Sequence, residues 1–198
     1  MTDQPKTLLA KLEEQFYIAA PKIERRQEAK DGTVKYLLRM ADGNCIETVV
    51  MRYHYGNTVC VSTQVGCRMG CRFCATGRQG LQQSLTAAEI LNQAVSLPER
   101  DKLTNLVFMG MGEPLDNLDN LLPALEVLTS AWGFGWSPTR ITVSTAGVAS
   151  RLERFLEATQ VHLAVSLHNP FHEERAAIMP VERAWPVAEV AAIPVSYT

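Results

Sequence analysis

No run of apolar residues in this sequence of 198 approaches the roughly 20 needed to cross a bilayer, so a membrane-spanning role is not expected. Met1 to Gln15 mixes acids and bases and lacks the basic-then-apolar order of a secretion signal, which makes a cytoplasmic location the expectation. Charge of one sign is scarce as well. A net charge of −2 leaves no global electrostatic footprint for nucleic acid, so any RNA contact must come from local patches or from a part not included here. There is no internal repeat and no low-complexity segment. The 5 cysteines are an odd number in a chain without an export signal, which argues against a disulfide framework. What remains is a chain with 46% hydrophobic residues, enough for one sizeable core and a small appendage.

Periodicity divides the chain into a front and a back. Leu8, Leu9, Leu12 and Phe16 recur at helical spacing, predicting a short amphipathic helix from Pro5 to Phe16. Val34–Met40 and Ile46–Met51 flank the turn residues Asp42-Gly43-Asn44 and predict a β-hairpin, and Thr58 to Thr63 reads as a further strand. Strands and helices then alternate: a helix over Thr86–Leu97 with a capping-box spacing from Thr86 to Glu89, a strand at Leu106–Met109, a helix at Leu118–Leu128, a strand at Arg140–Ser144, a helix at Val148–Ala158, a strand at Val161–Ser166 and the start of a helix at Glu173–Ile178. That order predicts an α/β fold with parallel strands and crossover helices, as an open sheet or a barrel. We divide the chain into an accessory segment, residues 1–52, and an incomplete core domain, residues 53–198. About four strand–helix units are present, where a closed eight-stranded barrel takes roughly 250 residues. Pro194 interrupts the next expected helix, and the expectation is a truncated or frame-disrupted chain.

Cys67, Cys71 and Cys74 form a CxxxCxxC triplet directly after a strand. Thiolate sulfur is the ligand iron–sulfur clusters use, and closely spaced thiolates on one loop can each take a different iron of a cubane. Three ligands for four irons leave one iron open to chelate S-adenosylmethionine (SAM), whose reductive cleavage gives a 5′-deoxyadenosyl radical. Gly66 and Gly70 let the backbone turn around such a cluster. Three ordinary buried thiols and a zinc site are the competing readings. A closed zinc site needs a fourth ligand; His54 is one candidate, although a lone histidine in a hairpin reads as a surface or packing residue.

Further along, the strand ending at Met109 runs into Gly110-Met-Gly112-Glu113-Pro114, where Glu113 and nearby carbonyls are suited to a ligand ammonium. Ser144-Thr145 and Ser166-Leu167-His168-Asn169 follow the next two strands. Polar groups beyond the carboxyl ends of successive parallel strands read as one ligand site, although each serine taken singly reads as a turn or cap residue.

Gly66-Cys67-Arg-Met-Gly-Cys71-Arg-Phe-Cys74, Phe108-Met-Gly-Met-Gly-Glu-Pro114, Ile141-Thr-Val-Ser-Thr145 and Leu163-Ala-Val-Ser-Leu-His168 resemble, in order and spacing, the motifs of the RlmN/Cfr family of radical SAM RNA adenine methyltransferases. The resemblance runs from about Leu8 to Pro186 and implies a partial TIM-like radical SAM barrel, preceded here by the short helix and hairpin. It implies methylation of adenine C2 or C8 in 23S ribosomal RNA, with transfer RNA as a further substrate, a 4Fe-4S cluster, two molecules of SAM and an external electron donor. Cys67, Cys71 and Cys74 match the cluster ligands; Gly112, Glu113, Ser144, Ser166, Leu167 and His168 match SAM-contacting positions. Glu47, in Ile46–Val50, matches the family's proton acceptor; without the resemblance it reads as a solvent-facing strand residue. Cys60 resembles a thiol near the active site, or is simply a buried strand cysteine.

This sequence departs from the family in two places. No cysteine follows Cys74, whereas the family's methyl-carrying cysteine and a further SAM-binding asparagine lie in a C-terminal region. Much of the family's N-terminal RNA-binding domain also has no counterpart. The competing expectation is therefore a degenerate, non-catalytic Fe-S or metal-binding fragment.

Overall fold

The computed structural model describes residues 5–16 and 20–195. Its first helix, α1 (Lys6–Gln15), buries none of its residues, and Leu8 on its apolar stripe is 42% exposed. Four antiparallel strands follow: β1 (Lys22–Glu28), β2 (Val34–Arg39), β3 (Cys45–Tyr53) and β4 (Gly56–Cys60). The predicted hairpin is β2–β3, in register from Val34↔Val50 to Arg39↔Cys45. Strand β1 escapes sequence reading because Lys-Ile-Glu-Arg-Arg-Gln-Glu is almost wholly exposed and has no apolar alternation.

After β4 the pairing becomes parallel. A two-residue ladder, β5 (Gln64–Val65) with β6 (Gln83–Ser84), brackets the cysteine loop and the short helix α2 (Ala75–Gln79). Then come α3 (Ala87–Val95), β7 (Leu103–Phe108), α4 (Leu118–Thr129), β8 (Ile141–Thr145), α5 (Ala149–Ala158), β9 (His162–Val165), α6 (His172–Ile178) and α7 (Val187–Val195). The seven long strands form one open sheet in the order β1-β2-β3-β4-β7-β8-β9, with β4, β7, β8 and β9 parallel. The accessory hairpin and the parallel strands thus share a single sheet, and a division after residue 52 falls within β3.

Helix starts follow the sequence where a cap is written into it. Thr86 accepts the Glu89 N–H while the Glu89 carboxylate accepts the Thr86 N–H, the reciprocal pair predicted from their spacing. The expected interruption at Pro194 is corrected: α7 runs one residue past it, because a proline in a last turn forfeits a single ladder bond. Residues 196–198, which belong to the same expectation, lie outside the described residues.

The helices cover one face of the sheet. Tyr36, Leu38, Ile46, Val50, Val59, Leu106, Phe108, Ile141 and Val143 alternate along the strands and join Ile90, Leu121, Leu125, Leu152, Phe155 and Val190 in one core. Each fully buried side chain of this size contributes about 1.5–3 kcal/mol. The opposite face carries Cys45, Glu47, Val49 and Met51 of β3 and is only partly buried. The ends of β4, β7, β8 and β9 therefore meet at one rim, where the candidate site lies.

Candidate functional site

The cysteine loop leaves β4 tied to the loop that follows β7. The Thr63 and Gln64 N–H groups donate to the Met111 carbonyl at 2.8 and 3.2 Å, and the Gly110 N–H donates to Val61 at 3.1 Å. Ser62 bridges further: its hydroxyl donates to the Glu47 carbonyl at 2.6 Å and accepts the Met111 N–H at 2.9 Å. The Gln64 side chain accepts the Glu113 N–H and donates to Asp116, both at 2.9 Å, while Arg68 from the cysteine loop pairs with Asp116 at 2.8 Å. Buried Asn117 donates to the Thr63 and Leu85 carbonyls. At the loop's start the backbone passes so close to Gly80 that a Cβ on Gly66, which has φ +77°, would lie 1.8 Å from the Gly80 carbonyl oxygen. Only glycine fits there.

Cys67 is buried, and Cys71 and Cys74 are half-buried. All three line a cavity of about 310 Å³ together with Gly112, Glu113, Ser144, Ser166 and His168. The structure thus brings together eight of the nine residues matched from the sequence to the cluster and SAM, and Thr145 lines the same wall. Leu167 is not among the lining residues and is 47% exposed. Glu47 is also outside the cavity: its carboxylate is half-exposed on the open face of the sheet and pairs with Lys35 at 2.8 Å. Cys60, on the same face, sits in β4 between Val49 and Val107.

Burial dominates the electrostatics of the cavity. It pushes the Cys67 thiol up to about 11, with the neighbouring Glu113, Cys71 and Cys74 adding to the shift against a hydrogen bond from the Met69 backbone. Cys71 is raised chiefly by burial and then by Cys74. A cationic centre or bound metal among these sulfurs would reverse that trend by favouring the thiolates. Glu113, 4% exposed, is also raised by burial, although it accepts hydrogen bonds from the Thr145 hydroxyl and the Ala146 N–H, each at 2.7 Å, and from the Leu115 N–H. The Ser144 and Ser166 hydroxyls, one from each neighbouring strand, lie 3.3 Å apart.

Two contributors were not legible in the sequence. Phe73, between the second and third cysteines, packs against the His168 ring with centroids 4.6 Å apart. Arg175, in α6, is fully buried and donates to the Ala146, Ser166 and Leu167 carbonyls. An arginine near the start of a helix reads as solvent-facing, and no spacing betrays its inward course.

Three thiols on one loop, gathered with polar strand ends over a parallel sheet, make an α/β arrangement whose chemistry suits a thiolate-ligated cofactor beside a small ligand. Residues 61–192 match the Radical SAM superfamily, and the chain belongs to it. Its relatives narrow the likeness to the RlmN type. A probable dual-specificity RNA methyltransferase RlmN of Parabacteroides distasonis is 55% identical over 181 residues, 91% of this chain and 53% of that protein. Its counterpart in Halalkalibacterium halodurans is 44% identical over 196 residues, 96% of this chain and 54% of that protein. The crystal structure of a radical SAM methyltransferase from Sphaerobacter thermophilus superposes with a TM-score of 0.90 at 42% identity, covering 97% of this chain and 58% of that one. The chain spans about half the length of the curated relatives it matches.

Proposed function

We propose that this chain is the cluster- and SAM-binding part of an RlmN-type methyltransferase acting on adenine C2 in 23S ribosomal RNA and in transfer RNA, in the cytoplasm. One observation carries the reading: Cys67, Cys71 and Cys74 line the same cavity as Glu113, Ser144, Ser166 and His168. The donor set suits a 4Fe-4S cluster. It offers three thiols on one loop, a ligand short of a closed zinc site and the number that leaves one iron of a cubane open. Such a cluster, when bound, supplies the electron for reductive cleavage of SAM and itself needs an external donor.

The remaining steps belong to the protein. Glu113 gives the cavity a buried carboxylate suited to an ammonium group, already oriented by Thr145 and Ala146. Ser144 and Ser166 offer hydroxyls to a ribose or carboxylate, and Phe73 with His168 offers ring faces to a planar base. Glu47 is the proposed acceptor of the base proton. It stands on the face of β3 that continues the rim, and its backbone is tied through Ser62 to the loop bearing Glu113. RNA would reach it over that open face.

Anaerobic reconstitution with iron and sulfide, followed by EPR of the reduced protein with and without SAM, tests the reading. A 4Fe-4S signal that shifts on adding SAM supports it. Absence of a cluster, or tight zinc in its place, refutes it and leaves a metal-binding fragment.

A further inference from the structure

We propose that Arg175 is the positioning residue of the ligand cavity: its guanidinium, anchored by Glu182, clamps the segments that follow β8 and β9 into the shape that lines the cavity. The claim rests on the reading of that cavity as the SAM site.

Arg175 is 0% exposed and sends its donors to two different strand ends. Nη2 donates to the Ala146 carbonyl beyond β8 at 2.8 Å and to the Ser166 carbonyl beyond β9 at 3.0 Å, and Nε donates to the Leu167 carbonyl at 3.0 Å. Nη1 is held by Glu182, itself 1% exposed and also accepting from His172 Nδ1–H at 2.8 Å and the Val187 N–H at 2.9 Å. Ala146, whose carbonyl Arg175 holds, gives its own N–H to Glu113. The two peptide groups flanking Ala146 are therefore held by different partners, the first by the Glu113 carboxylate in the cavity wall and the second by the buried guanidinium.

The clamp also bears on a strained residue. Among the described residues His168 is the one non-glycine with positive φ, at 56°. Such a conformation persists only where its surroundings over-determine it, and the two carbonyls immediately before His168 are those held by Arg175. A buried ion pair is weak evidence for stability, since apolar residues of similar volume fill the same space as well or better. What apolar residues cannot do is donate to three carbonyls on two strand ends in a fixed fork. Lysine, with a compact ammonium, cannot span them either.

The test compares wild type, Arg175→Lys, Arg175→Met and the double variant Arg175→Met/Glu182→Leu, which removes the stranded carboxylate along with the guanidinium. Hydrogen–deuterium exchange of peptides covering residues 144–148 and 166–170 is read beside peptides from β1–β3, and SAM affinity is measured on the reconstituted chain. The expected result is faster exchange by about tenfold in both rim segments in all three variants, unchanged exchange in β1–β3 of the double variant, and SAM binding weaker by about tenfold. A double variant with wild-type exchange at the rim and wild-type affinity overturns the proposal, as does a rise spread evenly over the whole chain. If the wild type binds no SAM while the variants loosen both segments, the positioning role stands and the reading of the site falls.

Discussion

The carboxylate of Glu113 accepts the hydroxyl proton of Thr145 at 2.7 Å, joining the loop after β7 to the end of β8. The bond fixes an acid in a buried setting that raises its pKa, burial being the largest cause. A carboxyl raised in the folded state contributes stability that is fully present below its unfolded value and is lost as pH rises through the folded one. Glu113→Gln carries no such cost. The stability of the cluster-free variant relative to wild type is therefore expected to improve as pH rises above the ordinary carboxyl value of 4.5, measured by urea melts from acid to neutral pH. Its SAM affinity should fall by about tenfold, the loss of one buried charge-assisted contact. A relative stability independent of pH would mean that Glu113 is not buried as an acid.

The closeness of Gly66 to Gly80 gives a sharper substitution. Gly66 and Gly43 share a left-handed backbone, with φ +77° and +89°, but a Cβ on Gly43 meets nothing within 4 Å while one on Gly66 meets a carbonyl oxygen at 1.8 Å. Gly43→Ala should cost about 1 kcal/mol from backbone strain alone. Gly66→Ala should cost about 3 kcal/mol or more and reduce iron bound per chain, because the loop must shift to relieve the clash. Equal losses in the two variants would refute the close approach.

The contrast between Gly66 and Arg175 also explains how far sequence reading went. Residues whose chemistry is tied to local spacing were legible: the CxxxCxxC loop, the Thr86–Glu89 box and the strand-end polar residues that line one cavity. So was the strand–helix alternation behind β7, β8 and β9. Arg175 was not, because its acceptors lie 8, 9 and 29 residues away and its burial depends on packing that no period encodes. Strand β1 was missed for the opposite reason: as an edge strand with exposed side chains it is held by backbone pairing to β2, to which its sequence contributes no apolar pattern.

Glu47 offers a separation of roles. Its carboxylate is half-exposed, pairs with Lys35 and does not line the cavity. Glu47→Gln should change stability by less than about 0.5 kcal/mol, as exposed ion pairs do, and leave cluster uptake and SAM binding at wild-type levels. In a chain extended by the portion its curated relatives possess in addition, the same substitution should abolish methyl transfer to RNA. Retained transfer would remove Glu47 from the proton step, and weakened SAM binding would place it in the cavity instead.

Glu182 supplies the acid limit of the fold. Burial works to raise its carboxyl, but hydrogen bonds from His172, Arg175 and the Val187 N–H, with the Arg175 charge, outweigh it and hold the group below its ordinary 4.5. An acid depressed in the folded state contributes stability that is present above its unfolded value and is lost as pH falls through the folded one. Glu182→Gln leaves the Arg175 guanidinium buried without its counter-charge and should cost about 3 kcal/mol at pH 7. The gap should narrow steadily below about pH 4.5, as wild type protonates and comes to resemble the variant. Urea melts at pH 7, 5 and 4 measure it: a gap that stays constant would show that Glu182 is not the ionised partner of Arg175, and the clamp behind the cavity would then lack its anchor.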